Sequence, residues 1–407
     1  MTWQPGPLKH WLALNDTGVW GDDPSGQDDT VVLRSTDIHL DGGWIINNPA
    51  VRFLAPAERE AKLLRVGDLV VVKSSGSARH LGKTAIVTDE VASLKPCFAN
   101  FVQRLRPKLT ADSRYVWYVL NSKHASDEMA MLGNTTTGLR NLNGTIIGSV
   151  RFFGPPLEDQ RMIANYLDRE TALIDETIKK KIEFKVLLDE RIDSLIQEHV
   201  GAIPTRRRLR HLAKLGTGHT PDRRNSEYWE NCVVPWVTAD DLSSRDNPFE
   251  ILMDTRQKIS ALGVAKSAAV VHPRGTVMLC RTASVGLICR IGIPMATTQA
   301  FVTWSPGPEL DSGFLMYALH SLRQEWMRLA FGSTHDTIYM PDLESVKIPY
   351  VPISEQIMIS QKLDTSTSRL LEAKELLNRQ CNILKERRQA LITAAVTGEL
   401  RIPGVAA

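Results

Sequence analysis

Two stretches of the chain repeat an apolar position at alternating steps of four and three. The first runs Leu167, Thr171, Ile174, Ile178, Lys181, Lys185, Leu188, Ile192, Leu195. The second runs Leu363, Thr367, Leu370, Lys374, Leu377, Cys381, Leu384, Arg388, Leu391. This is the period of a heptad seam, and both stretches carry it in the same phase. The pattern predicts two long helices that pair as a coiled coil, with basic residues interrupting one of the two seam positions. Pro155, Pro156 and Pro352 stop any earlier helix. Glu158, Asp159 and Glu355 suit the positive end of a helix dipole, and Gly201 and Gly398 mark the exits. A helix of about 40 residues spans roughly 60 Å.

Outside these stretches the apolar runs are short and broken by turn residues. DLVVVK at Asp68, TAIV at Thr84, TVMLCR at Thr276 and GLICRI at Gly286 predict strands, while Arg114–His124 and Ser312–Leu329 predict helices. The fold class expected is α+β.

The two halves also match each other. GPPLEDQRMIANYLD at Gly154 and YVPISEQIMISQKLD at Tyr350 share Pro156/Pro352, Gln160/Gln356, Leu167/Leu363 and Asp168/Asp364 at an offset of 196. LLDERIDSLIQEHVG at Leu187 and ILKERRQALITAAVT at Ile383 continue at the same offset. Upstream, YVWYVLNS at Tyr115 matches FLMYALHS at Phe314, and Gly133 matches Gly332. ANFV at Ala99 matches QAFV at Gln299, VGDLVVVKSS at Val66 matches RGTVMLCRTA at Arg274, STD at Ser35 matches TAD at Thr238, and LKHWLAL at Leu8 echoes LRHLAKL at Leu209. The common order makes chance a poor explanation. The expected plan is therefore two similar domains, 1–154 and 204–350, joined by helical regions 155–203 and 351–407. Such a chain is a pseudo-dimer with an approximate two-fold axis; the domain between the helices permits either direction, and an axis perpendicular to them would make the coiled coil antiparallel.

Composition changes this picture little. The 407 residues are 43% hydrophobic and 23% charged, an ordinary globular balance. No apolar run approaches the length of a membrane span, and MTWQPGPLKHW lacks the basic and apolar regions of a secretory signal. Five scattered cysteines without a C-x-x-C pair are expected to be reduced thiols rather than disulfides or zinc ligands. Net charge is +3, but Glu158 to Val200 carries −4, leaving +7 elsewhere. The dense basic stretch Arg206–Arg224 is either a phosphate-facing surface or a solvated one.

Catalytic signatures are missing. SSGSARHLGKT ends in Gly82-Lys83-Thr84, but five residues separate Gly76 from Gly82 where a phosphate-binding P-loop needs four. The matching RTASVGLICR has no Gly-Lys-Thr, so a hairpin is expected here. PDLESVK at Pro341 has two residues between Glu344 and Lys347 where a nuclease motif has one, and it is expected to be a loop entering a strand. There is no H-E-x-x-H, G-x-S-x-G, G-x-G-x-x-G after a strand, or Asn-Pro-Pro-aromatic motif, and the histidines show no metal-ligand spacing. The expectation is no catalytic residue and no metal.

Polar loop clusters remain as candidate DNA contacts: Lys73, Ser74, Ser75, Arg79, His80, Lys83, Thr136 and Arg140 in the first half, and Thr217, His219, Thr220, Arg223, Arg281, Thr282, Ser284, Ser333, Thr334 and His335 in the second. Arg and Lys suit guanine edges and phosphates, and Ser or Thr suits any base. For any single residue, ordinary loop chemistry competes with that role.

GTGHTPDRRNSEYWENCVVPWVTADDL at Gly216, FGSTHDTIYMPDLESVKIPYVPISEQ at Phe331, the terminal RRQALITAAVTGEL and GPPLEDQRMIANYLDRETALIDETI together resemble the specificity subunits of type I restriction–modification systems, over essentially the whole chain. The first half departs from the pattern: NDTGVWGDDP at Asn15 stands where Gly-Thr-Gly-x-Thr-Pro is usual, and EDQ replaces EEQ. The resemblance implies two target-recognition domains, each reading half of a bipartite double-stranded DNA site, and a coiled coil that sets their spacing. It implies partners that do the chemistry: two modification (methyltransferase) subunits carrying S-adenosylmethionine, and restriction (motor-nuclease) subunits using ATP and Mg. No cofactor is expected on this chain, and the setting implied is the cytoplasm of a bacterium or archaeon. Three alternatives stay open: a specificity subunit serving a fused methyltransferase–nuclease, an NTP-binding enzyme, and a structural coiled-coil adaptor.

Overall fold

The computed structural model describes residues 3, 5–75, 80–132, 141–330 and 336–405. The chain packs as two compact units, Met1–Lys179 with Cys381–Ala407, and Lys180–Gln380. Each unit therefore holds one mixed domain and part of both long helices, Leu157–Ile196 and Ile353–Thr397.

The first unit is built on a four-stranded antiparallel sheet in the order Leu12–Thr17, Val102–Pro107, Leu69–Val72, Thr84–Ile86. A three-stranded sheet of Ala50–Arg52, Thr30–Leu33 and Cys97–Phe98 covers one face. The central LVVV strand is buried on both sides, which explains its unbroken apolar run. Leu69 and Val71 pack with Tyr115, Val119, Ile163 and Ile392, whereas Val70 and Val72 pack with Leu33 and Phe98.

The second unit repeats the plan strand for strand. Ala213–Thr217, Phe301–Pro306, Val277–Cys280 and Ile288–Arg290 form its larger sheet, and Gln257–Ile259, Val234–Val237 and Ala296–Thr297 its smaller one. Val277 and Leu279 face the helices, and Met278 and Cys280 face the smaller sheet.

Within each unit the two helices run antiparallel. In the second, Lys181 donates to Gln380 (2.6 Å) and Lys374 pairs with Asp189, so partners fall on one helix as they rise on the other. In the first, Arg388 pairs with Asp175 at 3.0 Å, and Gly404 approaches Met162. Every predicted seam position is buried or half-buried, including Ile174, Leu195, Leu370, Leu377, Leu384 and Leu391. Lys181, Lys374 and Arg388 on the seam are met by amide or acidic partners from the facing helix. The first helix ends in a wide turn, Gln197–Gly201, and Gly398 closes the second with a left-handed φ of 80°.

The helix starts are tied to their domains by a buried amide. Gln160 accepts from the backbone N–H of Asp112 (2.9 Å) and donates to the carbonyl of Pro155 (2.8 Å). Gln356 accepts from Asp311 N–H (2.9 Å) and donates to Val351 (2.7 Å) and Glu309 (3.0 Å). Tyr118 and Tyr317 repeat a second tie, each donating to the helix aspartate, Asp168 or Asp364, at 2.8 Å.

Two sequence expectations need correction. PDLESVK is not a loop: Met340–Ser345 forms a short helix before the strand Lys347–Pro349, with Pro341 in its first turn, where a missing N–H is harmless. Two of the repeat matches slip by one residue. Asp37 and Asp241 both accept from the N–H three residues earlier, at Arg34 (2.7 Å) and Thr238 (2.8 Å), so Asp37 corresponds to Asp241 and not Asp240. Val72 pairs with Val102 and Cys280 with Phe301, so Val102 corresponds to Phe301 rather than Val302. The Gly133/Gly332 match lies outside the described residues.

His320 in the second unit is closed in against Phe249, ring centroids 4.8 Å apart, and burial with nearby Arg323 lowers its pKa to about 3. Its Nε2 has no partner among the described residues. A folded value below the unfolded one means that this contribution is complete above about pH 6.5 and is lost as pH falls toward 3. Urea unfolding should show about 2 kcal/mol of lost stability from this group by pH 5. His320→Leu should flatten that slope; an unchanged slope would contradict the assignment.

Candidate nucleic-acid interface

The topology gathers the candidate loops of each unit at one end of its larger sheet. In the second unit, Thr217 ends its strand opposite Val302, and Cys280 ends its strand opposite Phe301. The segments 217–220, 281–284, 298–300 and 336–338 therefore meet there. Thr217 Oγ1 donates to the Phe301 carbonyl (2.9 Å), His219 N–H to the Thr297 carbonyl (2.9 Å) and Thr220 Oγ1 to Gln299 Oε1 (2.6 Å). Gly218 makes this approach possible: a Cβ there would lie 2.0 Å from the Thr297 carbonyl oxygen.

Arg281 N–H donates to the Ala300 carbonyl (2.8 Å), and its guanidinium reaches the Ile338 carbonyl (3.3 Å). Thr282 bridges to Thr337, Ala283 takes a left-handed φ of 62°, and Ser284 N–H closes back on Thr282 (2.7 Å). Arg223 lies over the rings of Trp229 and Trp236, at 5.2 and 5.6 Å. The basic stretch 206–224 is thus not one patch: Arg207 pairs with Glu309 (2.8 Å), Arg224 with Asp222 (3.0 Å), and Arg223 stacks.

The first unit presents the matching end. Lys73 and Ser74 donate their N–H groups to the Phe101 carbonyl (3.1 and 3.3 Å), Lys73 Nζ reaches Thr17 Oγ1, and Ser74 Oγ donates to Asn141 (2.7 Å). Ser75 and His80 are half-buried in the same loop. Burial lowers the pKa of Lys83, whose charged neighbours are Asp41 and Arg388. Its carbonyl accepts from Val72 N–H (2.8 Å) within an antiparallel hairpin, and a strand rather than a helix follows it, so the P-loop context is missing. Arg79, Thr136, Arg140, Ser333, Thr334 and His335 lie outside the described residues.

Behind this end the first unit is stiffened by buried charge. Arg104 grips Asp16 through two bonds of 2.9 Å and reaches the Ala61 and Leu63 carbonyls (2.9 and 3.0 Å). Burial alone would raise Asp16, but bonds from Arg104 and Lys62 outweigh it and hold the carboxyl below its usual range. A larger hollow of about 730 Å³ lies at the opposite end of the sheet. Its Asp68 and Arg106 are joined by two 2.6 Å bonds, so their charges are already satisfied. Among the described residues no group of three or more His, Cys, Asp or Glu side chains converges as metal ligands do, and no helix is long and apolar enough to cross a membrane.

Residues 205–379 match the model of the type I restriction modification DNA specificity domain. The MjaIX specificity subunit of Methanocaldococcus jannaschii is 26% identical over 194 residues, covering 46% of this chain and 43% of that protein. The EcoprrI specificity subunit of Escherichia coli is 28% identical over 35% of each. These two alignments span less than half of either relative; the M. jannaschii MjaVIII specificity subunit aligns over 89% of this chain and 86% of its own length, at 23% identity. The fold is shared with a chain from a solved type I R-M system (TM-score 0.76, 19% identity, 98% of both chains) and with the HsdS subunit of Thermoanaerobacter tengcongensis (0.52, 18%, 98% and 97%). The chain is thus similar to the specificity subunits of type I restriction–modification systems, and its residues 205–379 match their DNA specificity domain.

Proposed function

We propose that the chain selects a bipartite double-stranded DNA target, each unit reading one half-site with the loop end of its larger sheet. The observation that carries this reading is the duplicated frame: the same backbone bonds hold equivalent loops in both units, while the side chains they present differ. A twice-built frame with divergent tips suits two different sequences. The chain itself supplies recognition and no catalysis; S-adenosylmethionine, ATP and Mg belong to partner subunits.

Methyltransferase and motor-nuclease subunits assemble on the helical regions in this proposal. Ile182, Phe184, Val186 and Leu187 lie off the seam and are exposed, which supports a partner-facing role for that helix.

The test is selection from randomised duplexes by the chain reconstituted with its modification subunits. Two short motifs separated by a fixed gap are expected, with each mismatched pair costing about 1–3 kcal/mol. Equal binding of all duplexes at moderate salt would refute the proposal. Inserting one heptad into both helices keeps the seam in phase and adds about 10 Å. The gap should then lengthen by roughly three base pairs while both motifs stay unchanged; a constant gap would show that the helices do not set it.

A further inference from the structure

At the reading end of the first unit, Trp20, Arg34, Ser35, Thr36, Asn100 and Phe101 line a concavity of about 410 Å³. Phe101 is 57% exposed and Trp20 38%, which is unusual for large aromatic side chains. Neither is loosely held. The Phe101 carbonyl takes two backbone bonds from the end of the Leu69–Val72 strand, and the Arg52 guanidinium sits 4.9 Å over the Trp20 ring. Arg34 is fixed by Asp37 (2.9 Å) and the Asn48 carbonyl (2.7 Å).

The second unit shows what this frame becomes with other side chains. Val19 N–H donates to the Phe98 carbonyl (2.8 Å) as His219 N–H does to Thr297, so Trp20 stands where the second unit has Thr220. Lys73 N–H meets the Phe101 carbonyl as Arg281 N–H meets Ala300, so Asn100 and Phe101 stand where it has Gln299 and Ala300. There, Thr220 and Gln299 bond directly to each other. In the first unit both aromatic positions are replacements on an unchanged backbone, and the hollow between them stays open.

We propose that this concavity is a base-reading pocket that takes the major-groove edge of an A·T pair. The thymine C5-methyl, the apolar group on that edge, meets Trp20 and Phe101, and the Asn100 amide meets the adenine N6/N7 edge. The pocket therefore makes the first unit's half-site differ from the second's at this position. This inference rests on the DNA-reading function proposed above.

The experiment uses the full chain in complex with its modification subunits. The first-unit half-site is identified as the one whose selection changes in Phe101→Ala. Replacing the thymine at the affected position by deoxyuridine removes one methyl group and should weaken wild-type binding about four-fold. The same replacement should leave Phe101→Ala unchanged, and Asn100→Ala should relax the preference for adenine there. Retained selection at the remaining positions of the first-unit half-site shows that the first unit of each variant is folded. If wild type selects two motifs but deoxyuridine affects wild type and Phe101→Ala alike, or no A·T pair is selected at that position, the pocket assignment is overturned and the bipartite reading stands. If wild type selects no motif at all, both fall.

Discussion

Replacing Gly218 by alanine is expected to cost the second unit at least about 3 kcal/mol and to abolish selection of its half-site. The new Cβ would lie 2.0 Å from the Thr297 carbonyl oxygen and 2.5 Å from that of Thr298. Both are backbone atoms, so no rotamer change relieves the contact; the strand end must move away from the loop it meets. That movement breaks the His219 bond to Thr297 and displaces Thr217 and Thr220 with it. Overpacking against fixed backbone costs 1–3 kcal/mol or more, before the lost hydrogen bonds are added. Gly18 makes the same approach, 2.0 Å from the Phe98 carbonyl oxygen, so Gly18→Ala should remove the other half-site instead. Randomised-duplex selection with each variant checks this; loss of both motifs by one substitution, or of neither, would contradict it.

The second large effect is expected at the buried glutamines. Gln356 is fully buried, and its amide serves Asp311 N–H and the carbonyls of Val351 and Glu309. Truncation to alanine leaves these backbone groups without that partner, and each unsatisfied buried group costs about 1–3 kcal/mol. A loss of roughly 3–5 kcal/mol is expected in urea unfolding of Gln356→Ala. Gln160→Ala should cost the first unit a similar amount because Gln160 makes the equivalent bonds to Asp112 and Pro155. Gln356→Glu tests the mechanism further. A carboxylate still accepts from Asp311 N–H but cannot donate to the two carbonyls, so it should recover only part of the loss.

The helices, the strands and the duplication were legible in the sequence because each leaves a periodic or repeated mark. The seam from Leu167 to Leu195 was readable since burial on one helix face selects residue type at a fixed step. The role of Gln160 and Gln356 was not readable. They recur at the helix starts, where polar residues usually face water, and nothing local shows that the preceding loop folds back onto them. The slipped matches have a related cause. ANFV and QAFV align by letter, but the frame equates Phe101 with Ala300, and only the strand register reveals it. Trp20 and Phe101 leave no such mark, because matching letters show only what the two copies share. Recognition on a duplicated frame is written where the copies differ.

The composition of the first unit has a consequence for biosynthesis. Its core includes Ile392, Ala395, Val396 and Ile402, which are translated only after the whole of the second unit. Residues 180–380, by contrast, form an unbroken stretch with a core of their own. As the chain leaves the ribosome, the second unit can complete itself first, while the earlier-made domain waits with Ile163 and Leu167 uncovered. The usual N-to-C order of domain completion is thereby reversed. Until residues 381–402 arrive, the first unit is the half exposed to chaperones and proteases.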